Sequence, residues 1–147
     1  MENMIVLDVE GDTKEEVIAN MAKELQRKGK LNDMDQYLKA VKEREQEITT
    51  GFGNGIAIPH GKSDAVNESS FVFGKLRKEI DWKSMDHKPV DMVFLLAIPE
   101  QEAGTTHIRL LSKIAVSIME EDFVQKLRDS QSEEEINAII QTIEVNA

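Results

Sequence analysis

No cysteine occurs in the 147 residues, so a disulfide framework, a thiolate zinc site and a thiol nucleophile are all excluded from this chain's chemistry. Positive charge is scarce as well: 18 Lys and Arg stand against 28 Asp and Glu, for a formal net charge of -10. Binding to a phosphate backbone depends on Lys and Arg displacing counterions, so nucleic acid is not an expected partner. No apolar run approaches the length that spans a bilayer, and residues 1–10 hold only a few apolar side chains flanked by acids, unlike a secretory leader. Direct membrane insertion is therefore not expected, and a cytoplasmic location follows by default. Internal repeats and low-complexity tracts are missing too. With 40% apolar residues, one domain over residues 1–147 is expected, burying roughly two thirds of the surface its unfolded form exposes.

What the chain does contain is an alternation of strand-like and helix-like segments. Residues 4–9 read as a strand. Thr13 and Glu16 form a capping box ahead of Val17, Ile18, Met21, Ala22 and Leu25 at helical spacing, and Gly29 supplies the stop. A second helix begins near Asn32 or Asp33, carries Met34, Tyr37, Leu38, Val41 and Ile48 as its apolar stripe, and ends at Thr49, Thr50 and Gly51. A glycine-rich loop, Gly51 to Gly55, leads into the short strand Ile56-Ala-Ile58, closed by Pro59, which puts His60 just beyond a strand end. Residues 70–76 form another strand, and residues 90–98 a nearly unbroken apolar run, as a central strand covered on both faces requires. Helices follow from Thr105 or Thr106, around residues 123–127, and from Ser132, whose capping-box partner is Glu135. The expected fold is a single-domain α/β protein, a three-layer α/β/α sandwich with a mixed sheet flanked by helices, its strand order undetermined.

Three histidines, at positions 60, 87 and 107, are the side chains that change charge near neutral pH without special help. His87 lies in a polar stretch read as a solvated turn. His60 taken alone reads as an ordinary loop histidine. Its neighbours Gly51, Gly53, Gly55 and Gly61, however, allow close backbone approach and leave amides to hold an anion, with Gly61 directly beside it. The glycines match neither a dinucleotide fingerprint nor a Walker loop, because Ile56 stands where each motif needs glycine. Arg44 falls in the row Tyr37, Val41, Arg44, Ile48 of the second helix. Its head either snorkels to water or reaches an anion held at the Thr50 to His60 loop. His107 opens the helix after Thr105 and Thr106, where it serves equally well as a cap or as part of an anion site.

The segment Gly55-Ile-Ala-Ile-Pro-His60-Gly61, with Arg44-Glu45 upstream, resembles the phosphorylation-site signature of enzyme IIA of the fructose/mannitol class, from the bacterial phosphoenolpyruvate:sugar phosphotransferase system. Lys14 to Glu16, Trp82, Pro89-Val90, His107 with Leu111-Ser112, and Phe123 with Leu127 follow in the family's order over nearly the whole chain. Ile108 departs from the leucine usual in the family.

The resemblance implies that His60 is phosphorylated, that His107 is a second active-site histidine and that Arg44 binds the phosphoryl group. Thr50 matches a hydroxyl position beside them. It also implies a donor, the histidine phosphocarrier protein HPr, and an acceptor, a cysteine on a IIB component of a sugar permease. No cofactor and no metal are implied. An unperturbed imidazole titrates near about 6.5, so a neutral nucleophile is available in the cytoplasm, and a phosphoramidate conserves the donor's transfer potential. The chain would then be a phosphotransferase component for sugar uptake. The alternative is a regulatory, nitrogen-type IIA protein whose phosphorylation state controls binding partners. A metal-dependent hydrolase built on His60, His107 and carboxylates lacks any close histidine spacing to support it.

Overall fold

The computed structural model of the chain describes the backbone of residues 3–102 and 105–145 and the side chains of residues 4–101 and 109–143. Strand β1 (Asn3–Val9) is followed by helices α1 (Lys14–Arg27) and α2 (Met34–Glu47), then by short strands β2 (Gly51–Gly53), β3 (Ile56–Ala57) and β4 (His60–Ser63). The long strands β5 (Ser70–Ile80) and β6 (Val90–Pro99) come next, and α3 (Thr105–Ile118), α4 (Glu121–Asp129) and α5 (Glu133–Val145) complete the chain. Both N-terminal helices start where side-chain caps allow. Thr13 accepts from the Glu16 amide and Asp33 from the Gln36 amide, satisfying amides that the first turn leaves without helical partners.

The sheet runs β1-β5-β6-β3-β2, with β4 also paired to β6. It is mixed: β5 lies antiparallel to β6, whereas β1 is parallel to β5, and β3 and β4 are both parallel to β6. Along β6 successive side chains alternate between layers. Val93, Leu95 and Ala97 join α1 and α2 in one core, and Met92, Phe94, Leu96 and Ile98 join α3, α4 and α5 in the other. The three-layer expectation therefore holds, and the apolar run of β6, broken only at Asp91, is explained by its burial on both faces.

Two local readings change. The glycine-rich segment is a hairpin and not a loop: β2 and β3 pair antiparallel across Asn54 and Gly55, both at positive φ (57° and 81°), as a two-residue hairpin with the strands' twist demands. Gly55 is needed there for space as well. A Cβ on it would lie 2.6 Å from Arg128 Nη2 and 2.7 Å from Asp91 Oδ1, the pair that grips the hairpin while Arg128 also donates to Asn54 O.

Nor does His60 stand beyond a strand end. Ile56 pairs with Met92, Ala57 with Val93, His60 with Leu96 and Ser63 with Pro99, so residues 56–63 follow β6 in one register. Only the missing amide of Pro59 splits them into β3 and β4, and Pro59 O still accepts from Leu96 N at 3.0 Å.

That register decides where neighbouring side chains go. Ile56 and Ile58 join the core under α3 to α5, whereas Ala57 joins the core under α2. Gly61 lies against α2, where a Cβ would sit 2.8 Å from Val41 Cγ2, 3.2 Å from Tyr37 Cε1 and 3.2 Å from Val41 N. Gly61→Ala is therefore expected to lower unfolding free energy by about 1–3 kcal/mol through overpacking, measured as a drop in urea midpoint with unchanged m-value.

Candidate functional site

His60 starts β4 on the opposite side of the strand from Gly61, and only 7% of its surface is exposed. Its Nδ1 lies 3.0 Å from Ile58 O. A carbonyl can only accept, so Nδ1 carries the proton and, in the neutral ring, the lone pair belongs to Nε2. The neighbouring strand β6, on which β4 is paired, is held by a buried phenol: Tyr37 donates to Leu96 O at 2.8 Å, and complete burial pushes its ionisation far above the usual range, so it remains a neutral donor.

The ring opens on a cleft of about 480 Å³ lined by Arg44, Thr49, Thr50, Gly51, Phe52, Ile58, His60 and Met85, with Leu111 and Ala115 from α3 across from them. The cleft thus gathers Arg44, Thr50 and His60, three of the residues singled out in the sequence. Of the four glycines near His60, only Gly51 lines it. The others are used elsewhere: Gly61 packs under α2 and Gly55 against Arg128 and Asp91. Two of the loop amides are also committed, Gly51 N to Thr49 Oγ1 and Asn54 N to Asp86 Oδ2.

Arg44 sits in the last turn of α2, where Nη1 donates to Ile48 O at 2.9 Å and Nε is 3.9 Å from Glu47 Oε2. The guanidinium has five N–H donors, so these contacts leave others available to a ligand in the cleft that Arg44 lines. Ile48, expected in the apolar stripe, is instead the extended residue after the helix and 54% exposed. With Phe52 and Met85, 36% and 65% exposed, it adds apolar surface near the cleft. His107 lies in the first turn of α3, and its side chain is outside the described residues. Positions 107, 111 and 115 occupy one row of that helix, and the latter two line the cleft. Among the described residues no group of three or more His, Asp or Glu is placed to hold a metal ion, and no helix is long and apolar enough to cross a membrane.

A polar cluster that the sequence reading had given no role holds the cleft's rear wall. Glu45 Oε2 accepts from Thr50 N at 2.9 Å and Oε1 from the Thr50 hydroxyl, and Lys14 Nζ lies 3.4 Å from the same Oε2. The indole of Trp82, fully buried, donates to Thr50 Oγ1 at 3.2 Å, and Thr49 Oγ1 donates to Trp82 O at 2.8 Å. Thr50's hydroxyl proton is thereby spent on Glu45. Periodicity could not single out Glu45, which stands one position off the Arg44 row and whose partners are Thr50, beyond the helix end, and Lys14, distant along the chain. The adjacency Arg44-Glu45 was the available signal.

Residues 1–143 match the family described as phosphoenolpyruvate-dependent sugar phosphotransferase system, EIIA 2. The fructose-specific EIIA component of Haloferax volcanii is 38% identical over 112 residues, which are 76% of this chain and 72% of that protein. The fructose-specific EIIABC component of Bacillus subtilis is likewise 38% identical over 92% of this chain, but the chain spans only 21% of its length. Among solved structures, the nitrogen regulatory protein IIA-Ntr of Neisseria meningitidis superposes with a TM-score of 0.84 at 32% identity, covering 92% of both chains. The complex of IIAMtl with phosphorylated IIBMtl from Escherichia coli has a TM-score of 0.78 at 23% identity, over 94% of both chains, which is a likeness of fold.

Proposed function

The chain belongs to the EIIA 2 family of the phosphoenolpyruvate-dependent sugar phosphotransferase system, and from that premise we propose that it is a cytoplasmic phosphoryl carrier working through His60. The donor is the phosphohistidine of HPr and the acceptor a cysteine of a IIB component, for sugar uptake. One observation carries this reading: His60, Arg44 and Thr50 meet at a single cleft with the histidine's Nδ1 already tied to a carbonyl.

The step follows from that tautomer. Nε2 attacks phosphorus in line, its N–P bond forming as the donor's N–P bond breaks, and the donor keeps the electron pair. The phosphorylated ring retains its Nδ1 proton and gains positive charge, which Ile58 O stabilises by accepting from it. Arg44 and His107 offset charge on the equatorial oxygens. A thiolate of the acceptor then attacks the same phosphorus, and Nε2 leaves with its lone pair. The apolar side chains of Ile48, Phe52 and Met85 suit a protein partner, since exposed apolar groups bordering a polar cleft favour docking over binding of a small solute.

A regulatory role is the second reading, favoured by the close superposition on a nitrogen regulatory protein. One experiment separates the two. The protein is labelled with HPr, enzyme I and phosphoenolpyruvate, and the acid-labile label is chased with a purified IIB component. Label moving to the IIB cysteine supports transport. Stable label whose presence alters affinity for a non-transport protein supports regulation, and failure to take label at all overturns both readings.

A further inference from the structure

A chain of hydrogen bonds runs from the cluster behind the cleft to the imidazole. Glu45 holds Thr50 by its amide and its hydroxyl. Thr50 O accepts from Ile58 N at 2.9 Å, and Ile58 O accepts from His60 Nδ1 at 3.0 Å. Trp82 fixes the same threonine from a third direction. Resting on the reading of His60 as phosphoryl acceptor, we propose that Glu45 is a positioning residue for His60, acting through Thr50 and Ile58 to hold the Nδ1-protonated tautomer that leaves Nε2 as nucleophile.

The physical grounds are geometric. Ile58 is the one residue between Ala57 and Pro59 in the split of the β3–β4 register, and Pro59 cannot donate a bond of its own. The carbonyl that orients His60 is therefore held on its own residue by the bond to Thr50 O. Thr50 in turn lies outside α2, and β2 begins only after it, so its amide and side chain are anchored by Glu45 and Trp82 instead of by regular secondary structure. With the hydroxyl proton donated to a carboxylate, Thr50 contributes position and not a donor to the phosphoryl oxygens. A nucleophile misplaced by small distances loses much of its effective concentration, which gives Glu45 leverage without contact with the reacting atoms.

The test has two arms. In the first, ¹⁵N resonances of the His60 ring in the full chain report the tautomer with no donor present. The parent is expected to show Nδ1–H with an unprotonated Nε2, and Glu45→Ala to show averaged ring nitrogens. In the second, single-turnover phosphorylation by HPr is expected to slow by between about tenfold and a hundredfold in Glu45→Ala, with donor KM unchanged. Thr50→Val should lose rate likewise while keeping the side-chain volume, and Thr50→Ser should recover most of that loss. If Glu45→Ala does not fold, Thr50→Val and Thr50→Ser decide the matter.

Unchanged ring resonances together with parental rates in the variants that fold overturn the proposal. So does a rise in KM alone, which would place Glu45 in partner docking. Should the parent take no phosphoryl group, the functional reading fails, and the resonance arm still decides whether Glu45 governs the tautomer.

Discussion

A His60→Ala protein is expected to take no detectable phosphoryl group from HPr while remaining folded. The side chain supplies the only nucleophile that the cleft's described residues offer in a suitable form. Thr50's hydroxyl is donated to Glu45 and Thr49's to Trp82 O, and an arginine side chain stays protonated and without a lone pair to give. Removing the imidazole also vacates one hydrogen bond to Ile58 O, a loss of about 0.5–1.5 kcal/mol, so thermal unfolding should show a modest fall and no loss of cooperativity. The readout is mass spectrometry of the intact protein after incubation with the donor, where the parent gains one acid-labile phosphoryl group. Label persisting on the alanine variant would move the acceptor to another residue.

Arg44→Ala is expected to slow phosphoryl acceptance by about 10²–10³-fold with little change in stability. The protein's formal charge of -10 opposes the approach of a phosphoryl group bearing close to two negative charges, and among the described residues lining the cleft Arg44 is the sole cation. Its effect should fall on the chemical step, because charge on the equatorial oxygens is redistributed as the P–N bonds exchange. Arg44→Lys should recover part of the rate and not all of it, since an ammonium keeps the charge but not the forked donors. Structurally the guanidinium forms a helix-end bond to Ile48 O and a long contact with exposed Glu47, so its removal costs about 1 kcal/mol at most. Equal rates in Arg44→Ala and the parent, measured by rapid quench, would remove the residue from the site.

Much of the layer architecture was legible because it rests on local rules. The capping box at Thr13, the helical spacing of Val17 to Leu25 and the nearly unbroken apolar run of β6 each follow from nearest-neighbour physics, and the first helix and the strand stand where those signals put them, while the second helix takes Asp33 of its two candidate starts. The glycine segment misled for an instructive reason. Glycine permits both an anion nest and a tight hairpin, and only the packing of Arg128 and Asp91 against Gly55, with the pairing of β2 on β3, selects the hairpin. Gly61 shows the same dependence on packing: it lies against Val41 and Tyr37 of α2, where a Cβ would clash, a constraint its adjacency to His60 does not reveal. Ile48 departed from its helical row because α2 ends one residue before it.

For the site, residue types and their spacing in the chain nominated His60 and Arg44, because the chemistry of an imidazole and a guanidinium is intrinsic to those groups, whereas Thr50 came only with the family resemblance. The tautomer of His60, the commitment of Thr50's proton and the part played by Glu45 and Trp82 were decided in three dimensions alone. Hydrogen bonds have direction and a reach of about 3 Å, and the groups that make these bonds converge only after α2 packs on β4 and the chain from Thr50 to His60 settles beside β6.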